Sequence, residues 1–598
     1  MPGVIVKRLE STRKAVHMTA TPWGFRDILP EEAQRREQIA DTVKARLRHH
    51  GYLPVETPLL ENKSALEEGG RIADTPFQLF DDDRLLVIRP DNTLPIVRLV
   101  SSRMSASQLP LRLRYEAPVV REQLQHAGAS RQFTQLGFEL IGAGGVAGDA
   151  EVVSLVIDAL DALDLDDWRI VCGSVRPFQE LLSRCDDKLA KQCLAAVHAN
   201  DFVDLDALVA ASSETDEVKR AISQLPRTRG GIEALDRVDE LLASAGVRTT
   251  ATDELRDLYR NLCEGASGSS TDAAAHLQFD FSLMNSFDYY TGLVFKAYAG
   301  DLPDPVGSGG RYDAIFDDAI DGATHTPAAG FAFSLERLER ARGDEDEDSA
   351  SASVSAGDEL PPLRIAVPKG SLKAGTLEAL EAVGLDVSSL RDPGRHLIVS
   401  GRDTKEDAAC NLGSIEYVIV RPTDAPAFVA CGGADCGICG RDSLIEANLR
   451  LLQLVDLRFG ACRFIEAEPA ERAGATERAY ARRGSLRVAT KYPRIAAAWY
   501  ASRGVHAEIV SLHGNIELGP IVGMTDRIVD ITATGATLRE NNLVITGDLM
   551  TCTARFFVNP GRAHRDPRVR ELADRLAAYM ETRPAAATDV VAGGVATE

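Results

Sequence analysis

The amino-acid sequence predicts a multidomain protein: an α+β unit built on an antiparallel sheet, followed by an α/β unit in which strands alternate with helices. Three observations carry this. The 598 residues exceed what one hydrophobic core organises. A compositional break divides them: Arg342-Gly-Asp-Glu-Asp-Glu-Asp is acidic, a Ser/Ala-rich stretch follows, and Pro361-Pro362 ends it. Strand-like segments follow one another before that break and alternate with helical ones after it.

Residues 1–20 are basic and lack the apolar core of a signal peptide, so they read as a disordered lead-in, with Met18 as an alternative start. The first unit, 21–340, opens with a helix whose Ile39, Val43 and Leu47 share one face and whose end Gly51 is placed to cap. Strands are expected at 85–89, 111–115, 132–141 and 292–298. The break at 341–362 has too few large apolar residues to repay ordering and reads as a flexible, self-repelling linker. The second unit, 363–585, has short β-rich runs at 364–367, 417–420, 486–489, 507–511 and 527–531, which predicts parallel sheets with ligands at the strands' carboxyl ends. A last helix is expected at 567–582 and a disordered tail at 586–598.

Composition narrows the function. With 44% hydrophobic and 26% charged residues the chain is that of a soluble globular protein, and its formal charge of −22 argues against wrapping nucleic acid. No run of about eighteen apolar residues suggests a membrane span. The ten cysteines, with no secretion signal, point to reduced thiols in a cytoplasmic protein. Cys436-Gly-Ile-Cys439 has the spacing of half a zinc site, but no second Cys/His pair follows, so packed thiols are the better reading.

The octapeptide Asp530-Ile-Thr-Ala-Thr-Gly-Ala-Thr537 ends an apolar run and starts a polar one. A strand–loop–helix turn of this kind aims backbone N–H groups, hydroxyls and a helix N-terminus at one point, which suits phosphate. Thr537 and Glu540 have the spacing of a capping box. Asp530 would sit beside the phosphate, where a carboxylate accepts hydrogen bonds from sugar hydroxyls, so a phosphorylated ribose is the first ligand to consider.

In order along the second unit stand Val-Pro-Lys369-Gly370-Ser371, Val-Arg421-Pro-Thr-Asp424, Gly-Ala-Asp435-Cys-Gly-Ile-Cys-Gly440-Arg-Asp442, Ala-Thr-Lys491-Tyr492-Pro, Glu517-Leu-Gly-Pro and the octapeptide. Together they resemble the short form of ATP phosphoribosyltransferase, which opens histidine biosynthesis. The resemblance implies a two-lobed α/β fold like that of periplasmic binding proteins, the second lobe at about 456–543. It implies that N1 of ATP is joined to C1 of phosphoribosyl pyrophosphate with release of pyrophosphate. By that resemblance Thr532, Ala533, Thr534, Gly535, Ala536 and Thr537 hold the 5-phosphate and Asp530 the ribose hydroxyls. Lys369, Arg421 and Lys491 supply positive charge to the phosphates, and Gly370, Ser371, Asp435, Tyr492 and Glu517 line the ATP side. Magnesium would be held mainly by substrate oxygens, with no dedicated protein metal site. Ser371 departs from the arginine many relatives carry, and the long form's extra regulatory domain has no counterpart here.

The first unit carries Gly24-Phe-Arg-Asp27, Arg89-Pro-Asp91-Asn-Thr93, Pro118-Val-Val-Arg121-Glu122, Arg131-Gln-Phe-Thr-Gln135-Leu-Gly-Phe-Glu139, Asp288-Tyr289-Tyr290-Thr-Gly292, Gly309-Gly-Arg311-Tyr-Asp313 and Ser-Leu-Glu336-Arg337-Leu. These resemble the catalytic domain of histidyl-tRNA synthetase, a class II aminoacyl-tRNA synthetase. Asn285 stands where the synthetases carry an arginine, Asp91 where they carry glutamate, and no anticodon-binding domain follows. An amide cannot replace a fixed guanidinium charge. The departures fit the synthetase-like regulatory subunit that accompanies short-form transferases, here fused to its catalytic partner. Asp91, Thr93, Arg121, Gln135, Tyr289 and Tyr290 match positions that contact histidine, which implies a histidine-sensing, inhibitory pocket. No tRNA is expected as partner, and a homo-oligomer is. A tRNA-charging enzyme with an appended small-molecule domain is the alternative reading, and a non-enzymatic solute sensor a third.

Overall fold

A computed structural model describes residues 21–64, 77–81, 84–122, 130–165, 167–264, 273–283, 290–300, 302–317, 319–320, 325–343, 360–405, 410–472, 474–532 and 535–583. The lead-in, the linker's 344–359, the tail, Asn285, Tyr289, Ala533 and Thr534 lie outside them. The described chain divides into two compact units, one from the stretches Met1–Lys191 and Ala211–Ser353, the other from Gln192–Ala210 and Val354–Glu598. The grouping of Gln192–Ala210 with the second unit is not visible in the sequence.

In the first unit the helix Pro30–His49 begins with proline at its first turn, carries Glu31 and Glu32 there, and buries Ile39, Ala40, Val43 and Leu47. Gly51 takes a positive φ of 81° just past its end, and the Tyr52 N–H reaches back to the Leu47 carbonyl, as the sequence predicts. The nine-stranded sheet runs in the order Leu53–Pro54, Leu111–Val120, Gln132–Ile141, Ala328–Ser334, Gly307–Arg311, Leu293–Tyr298, Arg169–Ser174, Leu277–Asp280 and Arg229–Gly230. Most neighbours are antiparallel, but Leu53–Pro54 and Arg169–Ser174 each have one parallel partner. Gly307-Ser-Gly-Gly-Arg311 is therefore a strand. Six helices fill the stretch between Arg176 and Glu264, and two of them, Asp187–His198 and Phe202–Ala211, fall largely in the segment grouped with the second unit.

The second unit holds two sheets, and both are mixed where the sequence predicts parallel ones. The six-stranded sheet runs Ile398–Arg402, Ser414–Val420, Leu363–Pro368, Cys436–Gly440, Ala554–Val558 and Leu452–Asp456. Its middle is parallel, while the first strand and the last two pair antiparallel with their neighbours. The five-stranded sheet runs Ala507–Ser511, Leu486–Thr490, Arg527–Thr532, Cys462–Pro469 and Leu543–Cys552, with the last two strands antiparallel. The antiparallel members are the segments by which the chain enters and leaves the second sheet, and these do not carry the strand-then-helix signature of a parallel repeat. The last helix spans Pro567–Thr582, as expected, with Asp566 accepting the Arg568 N–H at its start. Among the described residues no helix is long and apolar enough to cross a membrane.

Candidate active site and amino-acid pocket

In the six-stranded sheet Pro368 and Val420 are parallel partners, so Lys369 and Arg421 leave neighbouring strands at the same carboxyl end. The Lys369 N–H donates to the Val420 carbonyl at 2.9 Å, and both side chains are exposed. Gly370 has φ 78°, and Ser371 is also exposed. Cys436–Gly440 runs parallel to Leu363–Pro368, so Arg441 and Asp442 follow at that same end.

Asp435 lies at the other end. One of its carboxylate oxygens accepts the Arg364 N–H at 2.8 Å and the other pairs with Arg562 at 2.8 Å. It ties strand starts together, and the structure places it apart from the residues expected to meet ATP. Asp442, three residues beyond Cys439, is the acid at the site-facing end. Burial pushes its carboxyl upward, and Lys491 from the other sheet opposes that rise.

In the five-stranded sheet Thr490 pairs in parallel with Val529, which brings Lys491, Tyr492 and Asp530 to one carboxyl end. The Thr490 hydroxyl accepts the Tyr492 N–H at 2.9 Å, and Pro493 then starts the helix Pro493–Ala501. Tyr492 is buried edge-on against Phe464, their centroids 4.8 Å apart, and the Lys491 ammonium lies 5.9 Å from the Tyr492 ring. Glu446 accepts the Ile495 N–H at 2.9 Å and the Arg494 N–H at 3.2 Å, satisfying the first turn of that helix from the other sheet's side.

Asp530 is pushed up to about 6, chiefly by burial. The Ile531 N–H opposes the shift, Glu517 adds to it, and Lys491 works against it. Asp530 thus feels the charges of Glu517 and Lys491, Asp442 that of Lys491, and Tyr492 those of Asp442 and Asp530. The Glu517 charge beside Asp530 leaves a carboxylate that would fit next to a magnesium ion held chiefly by substrate oxygens.

The loop after Asp530 departs from the predicted cap. The helix spans Ala536–Glu540, and its N-cap is Gly535 at φ 68°, so Thr537 lies inside the helix and makes no capping box. A left-handed N-cap suits glycine, which wins over the hydroxyl two residues later. The Thr532 hydroxyl accepts the Gly535 N–H at 2.9 Å, closing the turn, and Thr537 is exposed.

Cys436 and Cys439 are both buried in one strand, three residues apart, so their side chains point to opposite faces and cannot converge on one ion. Among the described residues no cluster of three or more His, Cys, Asp or Glu could hold a metal ion.

The first unit holds a buried polar cluster around Glu139, an acid not among the expected histidine contacts. Glu139 is fully buried and accepts hydrogen bonds from Tyr312, from Thr93 at 3.1 Å and from Tyr115 at 3.4 Å. Burial lifts it to about 7, the Tyr312 and Thr93 hydroxyls resist the shift, and the Asp91 charge adds to it. Space for the carboxylate exists only because Gly330 lies opposite, where a Cβ would stand 1.7 Å from Glu139 Oε2. Asp91 is buried and accepts the Leu94 N–H at 3.1 Å. Gln135 takes two hydrogen bonds from Asn92, through its backbone N–H and its side-chain amide. Tyr290 packs partly buried on the cluster that contains Tyr115 and Tyr312. Arg121 donates to the Pro90 carbonyl at 2.7 Å and lies over the Phe133 ring. Glu139 and Tyr312 stand inside motifs already quoted, and the presence of an acid and a tyrosine there was the available signal.

Comparison with known proteins agrees with both halves. The histidyl-tRNA synthetase family matches residues 24–338 and the ATP phosphoribosyltransferase family residues 421–578. An ATP phosphoribosyltransferase of Rubrobacter xylanophilus is 46% identical over 199 residues, 33% of this chain and 87% of that protein. One from Moorella thermoacetica is 44% identical over 199 residues, 33% of this chain and 83% of that protein. The ATP phosphoribosyltransferase regulatory subunit of the same organism is 36% identical over 330 residues, 54% of this chain and 82% of that subunit. The chain therefore belongs to the ATP phosphoribosyltransferase family, its catalytic unit joined in one polypeptide to a unit of the regulatory-subunit type.

Proposed function

We propose that the second unit joins N1 of ATP to C1 of phosphoribosyl pyrophosphate, and that the first unit binds histidine and restrains that reaction. The convergence of Lys491, Tyr492, Asp530 and Glu517 with Asp442 across two sheets carries the first half. We read the two-sheet body as the two-lobed form of the periplasmic binding proteins, closing on two substrates.

In this reading Asp530 holds the ribose hydroxyls of the donor, and the Thr532–Gly535 turn with the following backbone cradles its 5-phosphate. Lys369 and Arg421 from one sheet and Lys491 from the other meet the pyrophosphate and triphosphate oxygens, where charge grows at the leaving group. Fixed cations at that point and alignment of the two substrates each contribute several kcal/mol to lowering the barrier. Magnesium, when bound, neutralises phosphate charge. No side chain is needed as a covalent nucleophile.

The Glu139–Tyr312–Thr93–Tyr115 cluster supports the second half. A buried acid with hydroxyls around it complements an imidazole, Asp91 an ammonium group and Arg121 a carboxylate. The chain thereby serves histidine biosynthesis, in the cytoplasm and as a homo-oligomer. One assay tests the transferase half: the full chain with ATP, phosphoribosyl pyrophosphate and magnesium is expected to yield phosphoribosyl-ATP, and no product across salt and protein concentrations would overturn it. Calorimetric titration of the full chain with histidine tests the sensor half, which fails if no heat of binding appears.

A further inference from the structure

Cys462 opens the strand Cys462–Pro469 and Cys552 closes the strand Leu543–Cys552, and the two are direct partners across that antiparallel pair. Residues directly opposite in such a pair have Cα atoms about 4.5–5.5 Å apart. That lies inside the separation of about 4.4–6.8 Å that a disulfide spans. Both cysteines are free, share one apolar cluster and join their thiols in a hydrogen bond. Cys552 is buried and Cys462 is partly open to solvent. The buried Cys436 and Cys439 face Val558 and Arg555 across their strands and have no such partner.

The position of the pair gives it leverage. The chain passes between the two sheets of the second unit twice, through residues 457–461 and through Thr553. Cys462 and Cys552 are the first residue after one passage and the last before the other. The passages hold each other by Leu457 N–H to the Ala554 carbonyl and Ala554 N–H to the Phe459 carbonyl, each 2.9 Å, and by the Thr553 hydroxyl to Asp456 at 2.7 Å. Tyr492, beside Lys491 of the candidate active site, packs in the same cluster as both cysteines. A two-lobed body that closes on substrates bends where the chain crosses between lobes.

We propose that Cys462 and Cys552 form a reversible disulfide when the protein meets a peroxide, and that this bond fixes the base of the two crossings and suppresses turnover. The Cys462 thiolate attacks one peroxide oxygen; an S–O bond forms, the O–O bond breaks and hydroxide leaves. The Cys552 sulfur then displaces the second hydroxide; an S–S bond forms, the S–O bond breaks, and the protons of the two thiols complete two waters. Two electrons from the two sulfurs reduce one peroxide. A dithiol reverses the step by exchange. The neighbouring thiol assists the first stage, because its S–H stabilises the Cys462 thiolate and holds that group below the usual thiol range.

The bond itself is independent of the transferase reading, which supplies only the turnover readout. The full chain is treated with hydrogen peroxide, digested without reductant and mapped by mass spectrometry, with phosphoribosyl-ATP formation followed in parallel. The expected result is a peptide pair joined through Cys462 and Cys552, two hydrogens lighter than the reduced pair, with loss of most turnover and its return on adding dithiothreitol. Cys462→Ser and Cys552→Ala are each expected to keep turnover through the same treatment. Absence of the linked peptide overturns the proposal. So does peroxide inhibition of either variant equal to that of the native chain. Absence of any turnover before oxidation would instead count against the transferase reading, with the peptide map still deciding the bond.

Discussion

Asp530 and Glu139 are carboxyl groups held above the usual carboxylate range by burial, one near 6 and one near 7. If ionised Asp530 is what receives the donor's ribose, kcat/KM falls below pH about 6 as that group takes up its proton. Asp530→Asn should remove this acid limb and lower kcat/KM by on the order of 10²-fold, with the thermal midpoint little changed. A pH–rate profile of both proteins checks it. For Glu139 the linkage runs through stability. The folded chain holds that proton up to about 7 and the unfolded chain releases it near 4.5, so the folded state binds more protons in between. Stability present below about 4.5 is therefore lost as pH rises to about 7, by about 3 kcal/mol in total. Glu139→Gln should flatten that slope in urea titrations run between pH 5 and 8, and an unchanged slope would assign the proton to another group. At this scale the sequence placed Asp530 at the end of its strand, and the strand Arg527–Thr532 carries it two residues before that end. The sequence missed Glu139, because an acid within a run of buried strand residues reads like any exposed residue until three hydroxyls are seen to meet it.

The strand Arg527–Thr532 shows how an element is held so that its last residues can do chemistry. Arg527 lies among Glu466 at 3.0 Å, Glu468 at 2.9 Å and Glu477, and Glu466 and Glu468 are themselves buried. Tyr500 and Thr546 donate further hydrogen bonds to Glu466. Arg527→Met would strand two buried carboxylates without their cation, costing about 3–5 kcal/mol. Urea unfolding should show a lower midpoint, and full stability in the variant would mean the network is replaceable. The elements legible in the sequence were those with a clean local signature: 132–141, 507–511 and 567–582 match their predicted bounds, and the Pro567 helix announces itself by Asp566 and proline. The strands Cys462–Pro469 and Leu543–Cys552 gave no such signal. Each is defined by the partner it meets across the sheet, and their pairing carries two register shifts.

For the molecule as a whole, feedback would make the two units thermodynamically linked. If histidine weakens binding of phosphoribosyl pyrophosphate, the pyrophosphate donor must weaken histidine binding by the same factor, about 5–150-fold for a typical coupling of 1–3 kcal/mol. Titrating histidine into the full chain with and without saturating donor checks this, and equal affinities would rule out equilibrium coupling between those two ligands. The sequence by itself determined the family of each half, the acidic break between them and the residue types available to each site, because these rest on local composition and on motifs kept in order. Tertiary structure alone decided that Asp442 and not Asp435 faces Lys491, that Glu139 is buried among the hydroxyls of Tyr312, Thr93 and Tyr115, that both sheets of the catalytic unit are mixed and that Cys462 meets Cys552. Each of those depends on which distant strand lies alongside, and a chain's local pattern carries no record of its neighbour across a sheet.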